Sequence, residues 1–216
     1  MVLETNMSSK VESRYIYSKD YYGDYRIQSV IFDSPIKLSD AISEIRADEN
    51  ITDTLSYYRY YNDKTLSQIQ KDLSLNDKLN KLKVKGMLGY GQTAYVFETE
   101  QGDILKITNR DHFLGRKHEK FDCPIKSFGK MSPKSFCYYY FVEKTNEILS
   151  AKEINICINK IKELGYKIVD HRLEQFGKSN NGDIFLIDPE CARKNNLFGL
   201  IKYKFMKIKS LIKMMK

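Results

Sequence analysis

"LGYGQTAYVFETEQGDILKIT", Leu88 to Thr108, is the stretch on which the fold turns. Two glycines flank Tyr90, and the polar pair Gln92-Thr93 leads into an alanine and an apolar run. Glycine has no Cβ, so Gly89 and Gly91 either form a loose hairpin turn or let backbone N–H groups approach phosphate oxygens. A lone G-x-G does not separate the two. "EQGD" reads as a turn, and "ILKIT" as a second strand with Lys106 at its centre, 15 residues after Gly91. An ammonium in the middle of an apolar strand is costly unless it meets an anion, the alternative being a side chain that snorkels from an edge strand.

Upstream, residues 1–14 are polar and are expected to lack order. "RYIYSKDYYGDYRIQSVIF" (Arg14–Phe32) reads as a hairpin around Tyr-Gly-Asp. Leu38, Ala41, Ile42 and Ile45 predict a short helix, as do Leu66, Ile69, Leu73, Leu79 and Leu82 within Thr65–Lys83. The break at Ser74–Asn76 has the look of a helix-turn-helix linker, but generic helix pairs share it, and packing on the next domain is the preferred reading. Composition shifts at Val84. Downstream of the quoted stretch a short helix is expected within Arg110–Phe121, then a strand pair in "CPIKSFGKM" and "SFCYYYFVEK" joined by "SPKS". Ser150 caps a helix to Leu164, which Gly165 ends. "YKIVDHRLEQFG" and "GDIFLID" supply further strand and loop, and carry Asp170 and Asp188. The succession is mixed α+β with no internal repeat.

Taken in order, these segments resemble the protein-kinase-like superfamily. Gly89-x-Gly91-x-x-Ala94-x-Val96 resembles its glycine-rich loop, with alanine at the third glycine. Ile104-Leu105-Lys106-Ile107 resembles the strand that carries the nucleotide-binding lysine. Phe141-Val142-Glu143-Lys144 resembles the hinge that hydrogen-bonds adenine. Asp170 to Gln175 has the spacing of D-x-x-x-x-N with glutamine for asparagine, and Leu186-Ile187-Asp188-Pro189-Glu190 keeps only the aspartate of D-F-G. The resemblance spans residues 84 to about 192. It implies a small antiparallel-sheet N-lobe and a reduced, mostly helical C-lobe, ATP and Mg²⁺ as cofactors, and phosphoryl transfer to a Ser/Thr hydroxyl of a protein. By the same resemblance Gly89, Gly91, Ala94, Val96, Lys106 and Glu143 bind nucleotide and Glu119 holds Lys106. Asp170 orients the attacking hydroxyl, and Gln175 and Asp188 bind the metal. His171 is read as a loop hydrogen-bonder.

Only 28 residues follow Asp188, so the activation segment and peptide platform of a full protein kinase are not expected. Such reduced forms resemble small kinase-like proteins of bacteria, phages and secreted effectors, and lipopolysaccharide-core sugar kinases. An inactive pseudokinase binding module is the first alternative, and a membrane-surface sugar kinase the second. The implied organisation is an N-terminal extension (1–83), a minimal kinase-like domain (84–196) and a basic amphipathic helix (197–216). In that last segment Phe198, Ile201, Phe205, Ile208, Ile212 and Met215 recur at spacings of 3 and 4 among lysines, so a docked final helix or an anionic membrane surface is expected there.

Composition sets the outer limits. Net charge is +8, which favours anionic partners without choosing among them; nucleic acid is the most remote of those considered. Cys123, Cys137, Cys157 and Cys191 form no C-x-x-C pair and are expected to be buried thiols in a reducing compartment, which excludes the usual structural zinc patterns. No apolar run approaches a membrane span, and no signal core opens the chain, so a cytoplasmic location is expected, peripheral membrane attachment or delivery into a host cell being the alternatives.

Overall fold

A computed structural model of the chain describes residues 2–6, 13–19, 25–47, 59–90, 94–109, 118–145, 149–169 and 175–194. The chain is a mixed α+β fold of helices and antiparallel sheets, and divides into two compact units. The first comprises Met1–Leu114 with Pro124–Lys144, and the second Gly115–Cys123 with Thr145–Lys216.

The first unit is built on an eight-stranded antiparallel sheet. Its strands are β1 (Val2–Asn6), β2 (Ser13–Lys19), β3 (Tyr25–Lys37), β4 (Lys83–Tyr90), β5 (Ala94–Thr99), β6 (Ile104–Thr108), β7 (Ile125–Lys130) and β8 (Tyr138–Val142). They lie in the order β1-β2-β3-β4-β5-β6-β8-β7. The period-2 alternation of β5 and β6 buries Tyr95, Phe97, Leu105 and Ile107 on one face. On these pack α1 (Leu38–Ala47), through Leu38, Ala41, Ile42 and Ile45, and α2 (Arg59–Leu73), through Leu66, Ile69 and Leu73. Leu79 of α3 (Asp77–Asn80) joins the same core. Asn76 caps α3, its Oδ1 accepting from Leu79 N while its Nδ2 donates to the Met131 carbonyl. The break at 74–76 is thus a helix cap tied to the β7–β8 loop.

Two expectations change here. Residues 2–6 form an edge strand, Val2 pairing with Tyr17 and Asn6 with Ser13, where polar composition suggested disorder. A sheet edge tolerates polar side chains, which hides such a strand from a composition-based reading. The compositional shift at Val84 falls inside the sheet, because β3 pairs with β4 through Val30↔Met87, Ile31↔Gly86 and Ile36↔Val84. Gly86 makes that junction close: a Cβ there would lie 2.3 Å from the Val30 carbonyl oxygen. Residues before 84 therefore complete the first unit's core.

The second unit centres on α4 (Ala151–Glu163), which buries Ile154, Cys157 and Ile161. It starts at a capping box. Ser150 Oγ accepts from Glu153 N, while the Glu153 carboxylate accepts from Ser150 N at 2.9 Å and Ser150 Oγ at 2.7 Å. It stops before Gly165, whose φ of 82° is the left-handed conformation that suits glycine. Two short ladders follow. β9 (Tyr166–Ile168) pairs with β12 (Ala192–Lys194), and β10 (Phe176–Lys178) with β11 (Ile184–Leu186). A 3-10 turn, Pro189–Cys191, separates β11 from β12. Phe121, Tyr166, Ile168, Phe176 and Leu186 share the core of α4. Among its described residues α4 is the only α-helix, against four short strands, where a mostly helical unit was expected. The helix expected over Arg110–Phe121 is absent from its described part: residues 118–123 run beside β11, Leu186 N donating to the Phe121 carbonyl and Cys123 N to the Leu186 carbonyl. Residues 110–117 and the segment 197–216 lie outside the described residues.

Candidate functional site

In the first unit, the glycine turn joins β4 to β5, and the lysine strand β6 lies next to β5. Cross-strand register makes one row of Gly89, Val96, Lys106, Tyr140 and Phe128, running over β4, β5, β6, β8 and β7. Directly paired residues share a face. Lys106 is half-buried on the face opposite Leu105 and Ile107, whereas those neighbours sit in the helix-covered core. Its place in an apolar strand is thereby explained: the ammonium projects from the face that the core does not use. Ala94, at the far end of β5, pairs with Thr108. Gly91 lies in 91–93, outside the described residues.

The strand that pairs with the lysine strand, β8, leads into Glu143 and Lys144. Lys144 Nζ is 2.9 Å from Glu98 Oε2, and Glu98 Oε1 is 3.6 Å from Lys85 Nζ. Glu98 of β5 therefore ties the segment after β8 to both strands of the glycine hairpin. Behind the sheet, the buried Asp72 accepts hydrogen bonds from Ser132 Oγ (2.7 Å), Gln68 Nε2 (2.9 Å) and Ser135 Oγ. These serines belong to the β7–β8 loop, so a carboxylate on α2 fixes that loop. Burial, with the Asp72 charge adding to it, pushes the nearby Cys137 thiol up to about 12, against a hydrogen bond from Ser135 that lowers it. Sequence reasoning missed this network. The available signal was an acid three residues after Ile69 on the apolar stripe of α2, which needs partners when buried.

In the second unit, the base of the loop carrying both aspartates is closed by β9 and β12. Val169 N donates to the Cys191 carbonyl at 2.8 Å, and Cys191 N to the Asp188 carbonyl at 3.0 Å. Ile187 N donates to the Gln175 carbonyl at 2.8 Å, which sets residue 175 beside the strand end that leads to Asp188. Asp170 follows Val169 directly and lies, with 171–174, outside the described residues. Glu119 is placed in a turn, where its Oε1 accepts from Tyr166 Oη at 2.7 Å and its N–H donates to the buried Asp122. Among the described residues no group of three or more His, Cys, Asp or Glu side chains could hold a metal. A Mg²⁺ site that takes one carboxylate, one amide oxygen and substrate phosphates needs no such group, and Asp188 and Gln175 have the oxygen donors for it. No helix among the described residues is long and apolar enough to cross a membrane.

A scan against protein-family models gives no match, and a search of curated proteins finds none similar to the chain.

Proposed function

We propose that the chain is an ATP-dependent phosphotransferase of protein-kinase-like type that moves the γ-phosphoryl group of Mg-ATP to a Ser or Thr hydroxyl of a protein. The observation that carries this is the row Gly89–Val96–Lys106–Tyr140. It sets a glycine turn, a lysine strand and the strand leading to Glu143 side by side on the face opposite the helix-covered core. Phosphoryl transfer asks a protein mainly for positioning and neutralised charge. Backbone N–H groups around Gly89 and Gly91 and the Lys106 ammonium would hold the phosphates, and Glu143 would lie at the adenine edge. Mg²⁺, held by Asp188 and Gln175, would supply charge neutralisation at the phosphate oxygens. The acceptor hydroxyl oxygen attacks the γ-phosphorus, the bond from phosphorus to the β–γ bridging oxygen breaks, ADP departs, and Asp170 takes the hydroxyl proton.

A non-catalytic nucleotide-binding module is the second reading. Its support is the 3-10 turn at Pro189–Cys191 directly after Asp188, together with glutamine rather than asparagine at 175. Two measurements separate the readings. With [γ-³²P]ATP and a protein acceptor panel, the wild type should transfer label and Asp170→Ala should lose it, while equal labelling removes the catalytic reading. A Mg-ATP thermal shift that is present in the wild type and absent in Lys106→Ala supports nucleotide binding under either one.

A further inference from the structure

We infer that the outer face of the β9–β12 pair, with Lys167, Arg193 and Lys194, is a docking surface for an anionic lipid bilayer. In register, Lys167 of β9 stands directly opposite Arg193 of β12, and both are exposed, as is Lys194. Like charges facing each other across a ladder oppose the pairing. Among the described residues no carboxylate answers these three cations, although Lys83, Lys85 and Lys126 in the first unit each meet one. A partner that brings negative charge would relieve this repulsion.

The sequence places the whole charge excess at the same point. From Cys191 onward there are eight basic residues and no acid, so the first 190 residues are balanced, 28 against 28. The cationic stretch begins on β12 and continues through Lys202, Lys204, Lys207, Lys209, Lys213 and Lys216. Cations alone would suit nucleic acid equally well, and apolar groups decide between them. Leu164 and Val169, on either side of β9, are 53% and 44% exposed. After Lys194, apolar residues recur at spacings of 3 and 4 among the lysines, the pattern of a segment that lies in a lipid interface. A bilayer with anionic headgroups offers an apolar layer beneath a negative surface, and matches both features.

The test is co-sedimentation of the full chain with phosphatidylcholine vesicles, with and without phosphatidylserine. Binding should require phosphatidylserine and fall with added salt. Lys167→Gln should weaken it about fivefold and Lys167→Glu more, from the weight of one basic residue near such a surface. Lys167→Glu also faces Arg193 with an opposite charge, so its Tm should hold or rise, which separates lost binding from lost folding. Vesicle binding by Lys167→Glu equal to wild type would overturn the inference. So would wild-type binding that is absent or indifferent to phosphatidylserine, or salt-sensitive retention of duplex nucleic acid without vesicle binding.

Discussion

Lys83, Lys85 and Lys126 in the first unit's sheet each reach a carboxylate, at 3.9, 3.6 and 2.5 Å, and a carboxylate is even buried there against two serine hydroxyls. In the second unit, Lys167 faces Arg193 across a three-residue ladder. The first unit neutralises these surface lysines and buries Asp72 in a network that ties α2 to the β7–β8 loop. The second unit pairs Lys178 with Glu153 and buries Asp122, but leaves the like-charge pair Lys167 and Arg193 exposed on a short ladder. On the proposed function, the large sheet would carry the lysine and glycine turn that hold phosphates, and the short ladders the acids that act on them.

The comparison is tested most severely in the first unit's core. Phe97 is fully buried between β4 and β6 and packs under α1 and α2. Phe97→Ala should cost about 4 kcal/mol, read as a lower urea midpoint. Hydrogen exchange should rise first in β4, β5 and β6. If exchange rises equally in α4, the two units do not differ in the way described.

Asp72 gives the next largest effect. Asp72→Ala leaves the Ser132 and Ser135 hydroxyls without their acceptor, at a cost of about 3 kcal/mol. Removing the acceptor and both hydroxyls together, as Asp72→Ala with Ser132→Ala and Ser135→Ala, should recover part of that loss, because the two serine hydroxyls no longer lack an acceptor. The recovery is partial because Cys137 N loses Ser135 Oγ and Gln68 Nε2 loses Asp72. Alkylation of Cys137, slow in the wild type, should speed up in Asp72→Ala as the loop loosens. A triple variant no more stable than the single one would mean that the network is not what fixes the β7–β8 loop.

The sequence made the regular elements legible where periodicity was strong. The stripe of α1, the Ser150 cap of α4 and the alternation of β5 each follow from spacing alone. The glycine turn and Lys106 were legible as neighbours because a short turn joins their strands. Asp72 with Ser132 was not, since 60 residues separate them. Nor was β12, three residues long and held to β9 across a separation that local propensity does not encode. Glu119 was expected on a helix, but its surroundings depend on the backbone pairing of 121–123 with Leu186, which periodicity does not reveal.

A smaller effect should come from the start of α4. Hydrogen bonds from the Ser150 hydroxyl and backbone N–H, joined by Lys178 at 3.3 Å, lower the Glu153 carboxyl to about 2. Its folded pKa lies below the ordinary carboxyl value, so its contribution is full above about 4.5 and fades as pH falls towards about 2. Ser150→Ala should cost about 1 kcal/mol at neutral pH. The stability gap between wild type and Glu153→Gln should close on acidification through that window. A gap that stays constant from pH 7 to about 2.5 would show that the capping box does not set the acid sensitivity of this helix.

The smallest effect belongs to the first unit's surface pairs, and it decides whether they hold the sheet or merely neutralise it. Lys126 Nζ meets Asp103 Oδ1 at 2.5 Å, with half of the lysine side chain exposed. The Asp103 hydrogen bond raises the lysine pKa against an opposing effect of burial, so on the alkaline side the lysine keeps its charge through the ordinary lysine range and the pair weakens only above it. Water and salt screen such a contact, and Lys126→Ala should cost about 0.5 kcal/mol or less, vanishing in about 1 M salt. A loss above about 1 kcal/mol that survives salt would make this pair a fastener between β7 and the β5–β6 turn. The expected small loss instead leaves Asp72, at the opposite end of β7, as the fastener of the β7–β8 pair, with the surface lysines serving to cancel charge, the service that Lys167 and Arg193 lack.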